Sequence, residues 1–208
     1  MARARKVEQK QGRFHHGNLR QALIDGALLI LSKEGAAAIT LREVARRAGV
    51  THAAPYRHFD GKEALLAAVA EEGFVQLKRD MESATGGGDA LDRLYRYGEA
   101  YIRFALKNPA HYRLMYGPEF AHRAAHPALQ EASRQAFSLL IAAVRDAVAQ
   151  KLVGDGDPIH VALTTWSTVH GLSLLIMDRQ LDDAGVGKNQ LEPAIAFALD
   201  TLKQGLRR

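Results

Sequence analysis

The 208-residue chain contains no cysteine. That excludes disulfides, thiolate metal sites and a cysteine nucleophile, and it suits a reducing, cytoplasmic setting. Catalytic signatures are missing too. There is no G-x-S-x-G, no H-E-x-x-H, no phosphate loop and no dinucleotide fingerprint, so the expectation is not an enzyme and no cofactor. Gly86-Gly87-Gly88 lacks a following G-K-[ST] and reads as a loop. No segment shows strand alternation bounded by hairpin turns, and the basic N-terminus lacks the apolar run of a signal peptide. Nine histidines are present, but His15-His16 fall in a tail, and His111, His122 and His126 have no carboxylate at ligand spacing. Only His122 and His126 make an i,i+4 pair, with Pro127 beside them, so no metal site is expected.

The net charge of +5 is unevenly spread. Residues 1–62 hold twelve Lys/Arg against five Asp/Glu, whereas residues 63–208 hold sixteen against eighteen. A positive field confined to one end fits a polyphosphate partner, double-stranded DNA above all. A basic tail would account for Arg3, Arg5, Lys6 and Lys10. It does not account for Arg42, Arg46, Arg47, Arg57 and Lys62.

Those five lie in the most informative stretch, Ala36–Leu66, which reads as two short helices around a tight turn and the start of a third. Thr40 and Glu43 form a T-x-x-E capping box that starts a helix at Leu41. Ala45 and Gly49 are spaced for a close helix crossing, and Gly49 suits a left-handed helix end. Thr51 is expected to cap a second helix running to about Phe59, and Asp60 with Glu63 offers a further start. A helix-turn-helix puts the N-terminal end of its second helix into the DNA major groove.

Thr40, the Glu43–Gly49 stretch and above all Tyr56-Arg57-His58-Phe59 followed by Lys62-Glu63 closely resemble the DNA-binding domain of TetR-type transcriptional regulators. The likeness covers roughly Asn18–Gly73. It implies a regulator, by expectation a repressor, that binds a palindromic operator as a homodimer and is released by a small-molecule effector. Carried over residue by residue, Thr40, Tyr56, His58 and Lys62 match positions on or near the phosphate backbone. Thr40 and Lys62 stand at helix N-termini, where free amides favour an anion. For His58 a packing role is the alternative, and Phe59 is expected in the core. Base reading falls to Thr51, His52 and Ala53, with Arg42 able to fork onto guanine. Pro55 departs from the leucine that many members carry. Proline is tolerated in a first turn, so the helix is expected to survive with its start open to a one-residue shift.

Beyond this module the chain reads as helices throughout. Leu19, Leu23, Ala27, Ile30 and Leu31 mark a first helix, capped by Asn18 and stopped by Gly35. Later helices are expected over Gly61–Ser83, Ala90–Asn108, Ala110–Tyr116, Pro127–Val153, Pro158–Met177 and Gln190–Leu206. The fold class is therefore all-α with about nine helices. Its domains are a basic tail (1–17), a helix-turn-helix domain (18–66) and a larger ligand-binding and dimerisation bundle (67–208).

In the larger part, His111-Tyr112-Arg113-Leu114-Met115-Tyr116-Gly117 together with Trp166, His170 and Gly171 resembles the W…HG subgroup of TetR-type C-terminal domains. Tyr101, Phe104, Tyr112, Met115, Tyr116, Phe137, Trp166 and His170 are candidates to line a cavity for a largely apolar effector. Aromatics at helical spacing serve equally well as core filler. Trp166 and His170 share a helix face, and when buried each needs a hydrogen-bond partner, from a polar ligand or a neighbouring helix.

Pro158–Met177 carries no Asp, Glu, Lys or Arg over twenty residues, long enough to cross a bilayer. His160, Thr164, Thr165, Ser167, Thr168, His170 and Ser173 make it too polar for a lipid-exposed helix. It is expected to be a core helix, buried on more than one side, that with Gln190–Leu206 forms a homodimer interface; no membrane is implied.

Overall fold

The computed structural model describes residues 19–120, 123–154, 157–182 and 185–207. The tail, the Asn18 cap, His15, His16, His122 and parts of the loops after Gly154 and Asp182 lie outside them. The described residues form eight α-helices and no β-strand, and they divide into two compact units that meet in sequence between Lys62 and Glu63.

The first unit contains α1 (Leu19–Glu34) and α2 (Leu41–Arg47) around Leu23, Ile24, Ala27, Ile30, Ile39, Val44 and Ala45, all fully buried. Thr40 caps α2 as the sequence implies, its hydroxyl accepting the Glu43 amide at 3.1 Å. The other half of the capping box is absent, because the Glu43 carboxylate is held by Arg46 and Arg47. Gly49 (φ +67°) ends α2 in a Schellman turn, with Val50 N–H on the Ala45 carbonyl and Gly49 N–H on that of Arg46. A Cβ on Gly49 would meet nothing, so its conformation, not a close crossing, demands glycine.

The expected second helix of the motif does not form. Residues Thr51–Phe59 make successive tight turns with one 3₁₀ turn at Pro55–Arg57. Ala54 N–H bonds to Thr51, Arg57 to Ala54, and His58 to Pro55, all i→i−3. Pro55 is the cause. It has no N–H for the Thr51 carbonyl, and its ring crowds that carbonyl in an α-helical turn. This loss is why eight helices are found where nine were expected.

The second unit holds α3 (Lys62–Ser83) from Glu63 onward, α4 (Ala90–Lys107), α5 (Pro109–Tyr116), α6 (Pro127–Ala149), α7 (Pro158–Met177) and α8 (Lys188–Leu206). Helix α4 is its axis, packing against α5, α6, α7 and α8. Asp89 and Asp92 start α4 with a full capping box, both bonds at 2.9 Å. Gly98 marks the closest approach: a Cβ there would lie 2.7 Å from Leu199 Cδ2 and 3.3 Å from Val169 Cγ1. The triple-glycine loop turns carbonyls, not amides, to its neighbour. The Arg96 guanidinium donates to Ala84, Gly86 and Gly87 at 2.8–3.2 Å.

Helix α6 ends four residues earlier than expected. Lys151 (φ +57°) takes the left-handed position of a Schellman turn, with Leu152 N–H on Ala147 and Lys151 N–H on Val148. Helix α7 matches its expected bounds, capped by Asp157 on the Ile159 amide at 2.9 Å. Its burial does not match. A single stripe, Ala162, Thr165, Val169 and Ser173, is buried, and the rest of this uncharged helix is partly or fully exposed.

Candidate nucleic-acid interface and ligand cavity

In the first unit, Thr40, Arg42, Thr51, His52, Ala53, Tyr56, His58 and Lys62 are all exposed. Tyr56 is 64% exposed, an unusual state for an aromatic ring beside the buried Pro55 and Phe59. Phe59 is core, with the Arg20 guanidinium 5.6 Å above its ring. The basic residues of the motif are not equivalent. Arg46 is bound to Glu43, and Arg47 bridges Glu43 and Glu34. Hydrogen bonds from these two arginines hold the Glu43 carboxyl down at about 2, so three of the local charges are already matched. Arg42, Arg57 and Lys62 form no ion pair among the described residues. They carry the unmatched charge offered to an anion.

The second unit carries a half-open cavity of about 480 Å³. Phe74, Leu77 and Met81 of α3 form one wall, and Ala136, Phe137 and Leu140 of α6 form another. Tyr101, Tyr116, Leu163 and Trp166 complete it from α4, α5 and α7, with Gln130, Ser133 and Arg134 along the first turns of α6. The size falls within the usual range for small-ligand sites, and the walls are mostly carbon.

Of the eight residues expected there, Tyr101, Tyr116, Phe137 and Trp166 line the cavity. Phe104, Tyr112 and Met115 are instead fully buried packing residues, and His170 sits behind the wall. Tyr112 and His170 still shape it. The Tyr101 hydroxyl accepts the Trp166 indole N–H at 3.2 Å and meets the Tyr112 hydroxyl at 3.1 Å and His170 Nδ1 at 2.8 Å. The partners of Trp166 and His170 are thus supplied by α4 and α5. Burial pushes both tyrosine hydroxyls above their ordinary range and lowers His170 below its own, so all three are uncharged at neutral pH.

Phe74, Leu77, Met81, Gln130, Ser133, Arg134, Ala136, Leu140 and Leu163 escaped the sequence reading. Their helical i, i+3 and i, i+4 spacing was visible, but it is the spacing of any packed stripe.

Residues 23–69 match the bacterial regulatory proteins of the tetR family. Residues 94–202, just over half of the chain, match the tetracyclin repressor-like C-terminal domain. The chain belongs to the TetR family. Members of this family are DNA-binding transcriptional regulators that typically act as dimers. A solved structure from Rhodococcus sp. RHA1, of a protein with unknown function, is 35% identical with a TM-score of 0.83. That likeness covers 95% of this chain and 100% of the other. The TetR family regulator PfmR of Thermus thermophilus shares the fold at 20% identity and a TM-score of 0.68, covering 89% of this chain and 99% of that one. Nucleoid occlusion factor SlmA of Aliivibrio fischeri is 36% identical over 95 residues, 44% of this chain and 47% of SlmA. The HTH-type transcriptional regulator BetI of Rhizobium meliloti is 32% identical over 101 residues, 47% of this chain and 50% of BetI. The chain therefore spans about half the length of these two relatives.

Among the described residues one helix, Pro158–Met177, is long and apolar enough to cross a membrane. In this TetR protein it lies inside the matched C-terminal domain, with one stripe buried against the bundle. Thr164, Thr165, Thr168 and Ser173 donate their hydroxyls to carbonyls one turn back, at 2.7–2.9 Å. Thr164 and Thr168 lie outside the buried stripe and spend their hydroxyls within the helix, which leaves the outer face more apolar than the sequence suggests.

Proposed function

We propose that this TetR protein is a cytoplasmic repressor of the W…HG subgroup that binds a palindromic operator as a homodimer and is released by a small, largely apolar effector. In this reading residues 18–66 bind DNA and residues 67–208 dimerise and hold the ligand. Thr40, Tyr56, His58 and Lys62 contact backbone phosphates, while Arg42, Thr51, His52 and Ala53 face the bases. The cavity in the second unit is the observation that carries the proposal. A DNA binder that serves only an architectural or division role has no use for a half-open apolar cleft of about 480 Å³, whose carbon walls are costly to leave against water.

Dimerisation through α7 and α8 is supported by the apolar side chains they leave in solvent, Leu163, Leu175 and Phe197. A two-fold pairing is the commonest closed arrangement. Two copies read two half-sites only with their DNA-binding elements about 34–36 Å apart. A ligand that prefers another spacing shifts the population away from DNA, and a hundredfold loss of affinity needs about 2.7 kcal/mol of coupling. Selection of bound duplexes from a random pool tests the proposal. Palindromic winners, released by one class of small molecule, are expected; winners without two-fold symmetry overturn it.

A further inference from the structure

The cavity wall changes character along α6. Gln130 and Arg134 are exposed, Ser133 is half-buried, and Phe137 and Leu140 lie deeper on the same stripe. From Gln130 to Leu140 the helix rises about 15 Å, so one trough runs from wet to dry over that length. Among the described residues, Arg134 is the only charged side chain on the lining. Its Nε and one Nη are engaged by Glu131, on the preceding turn, and Glu131 also accepts Gln135 Nε2 at 2.7 Å. Such an exposed i,i+3 pair contributes only about 0–1 kcal/mol, so it yields readily to a better partner. The guanidinium has five N–H donors, and those not turned to Glu131 remain for a second oxyanion. At the far end, the Trp166 N–H is already spent on the Tyr101 hydroxyl, so carbon is what the deep wall accepts.

Resting on the effector-cavity proposal, we propose that the ligand is an apolar monocarboxylate, bound with its body along α6 beside Phe137 and Leu140 and its carboxylate on Arg134. Ser133 and Gln130 flank the head group and are of the type to hydrogen-bond its oxygens. Glu131 competes with the ligand for the same guanidinium.

Calorimetric titration of the full chain at pH 7 with decanoate, 1-decanol and decylamine tests this. Decanoate should bind at least about tenfold tighter than either other probe. Arg134→Ala should remove that advantage while leaving decanol unchanged, and Glu131→Gln should strengthen decanoate alone. Equal affinity for decanoate and decanol, or an Arg134→Ala variant that keeps the preference, overturns the carboxylate assignment while leaving the cavity in place. Ser133→Phe, at a half-buried position that accommodates a larger side chain, should block decanoate and decanol alike. If both still bind that variant unchanged, they bind elsewhere, and the cavity is not the effector site. Absence of heat with all three probes on the unmodified chain overturns the monocarboxylate.

Discussion

The Tyr112 hydroxyl lies 2.6 Å from Nδ1 of His170, tying α5 to α7 behind the cavity wall. Burial favours the neutral imidazole, and in the tautomer that carries its proton on Nε2 the Nδ1 lone pair accepts. A direction follows through the cluster. Trp166 donates to Tyr101, whose hydroxyl can pass its own proton to Tyr112, which donates to His170. The Trp166 N–H and both tyrosine hydroxyls find acceptors within the cluster without any ligand, so it forms a back wall rather than a set of waiting polar contacts.

Acidification should destabilise the protein. His111 and His170 are both lowered by burial from an ordinary value of 6.5, so as pH falls the unfolded chain takes up protons before the folded one does. Their contribution is complete above about pH 6.5 and is lost as pH drops towards the folded values. Thermal melts between pH 7.5 and 5 should show a falling midpoint. Among the described residues His111 Nε2 is buried with no hydrogen-bond partner, so His111→Leu should be neutral or stabilising at pH 7.5 and flatten the acid limb. A steeper limb in that variant would contradict the assignment.

DNA affinity should fall by orders of magnitude between roughly 50 and 200 mM salt, since each phosphate contact releases about 0.9 counterion. Lys62→Ala should weaken all sequences about equally. Arg42→Ala should instead relax the choice at one base pair, at a cost of about 1–3 kcal/mol, read from competition binding against single-base operator variants. Arg46→Ala should change affinity less than either, because Glu43 already occupies that guanidinium.

Pro55→Leu should convert the turns of Thr51–Phe59 into an α-helix. It offers the Thr51 carbonyl an i→i−4 N–H in place of the i→i−3 bond from Ala54, and it removes a residue about 3 kcal/mol less favourable in a helix interior. Backbone chemical shifts of residues 52–58 should move to helical values, and the preferred half-site should change as Thr51, His52 and Ala53 are re-aimed. Shifts that stay as in the unmodified chain would show that something other than Pro55 prevents the helix.

Phe197→Asp should yield folded monomers in sedimentation experiments. Phe197 is 73% exposed on α8, so its replacement costs the single chain little. Leu199, two residues on, is only 3% exposed and packs at Gly98, so a charge there should unfold the chain instead. A Phe197→Asp protein that remains a dimer would remove α8 from the interface.

Much of the fold was legible because the chain marks its helix boundaries with prolines and caps. Pro109, Pro127 and Pro158 each sit at the first helical position, and Thr40, Asp89 and Asp157 cap as their side chains allow. Two boundaries were hidden. Lys151 does the work of a C-terminal glycine, and Pro55 stands where only its register decides between a tolerated first turn and a broken helix. The exposure of Tyr56, His58 and Lys62 around a buried Phe59 was readable from local chemistry. The cavity was not, since Phe104 in the core and Phe137 on the wall belong to the same kind of stripe and differ only in what lies opposite.

Trp166 is the only tryptophan in the chain, and its ring stands in the cavity wall between Phe137 and Tyr116, at centroid distances of 5.8 and 6.0 Å. All indole emission from this protein therefore originates at one point, next to whatever enters. Occupancy, dissociation rate and the polarity of the filled site can be read optically from the unlabelled, unmodified chain.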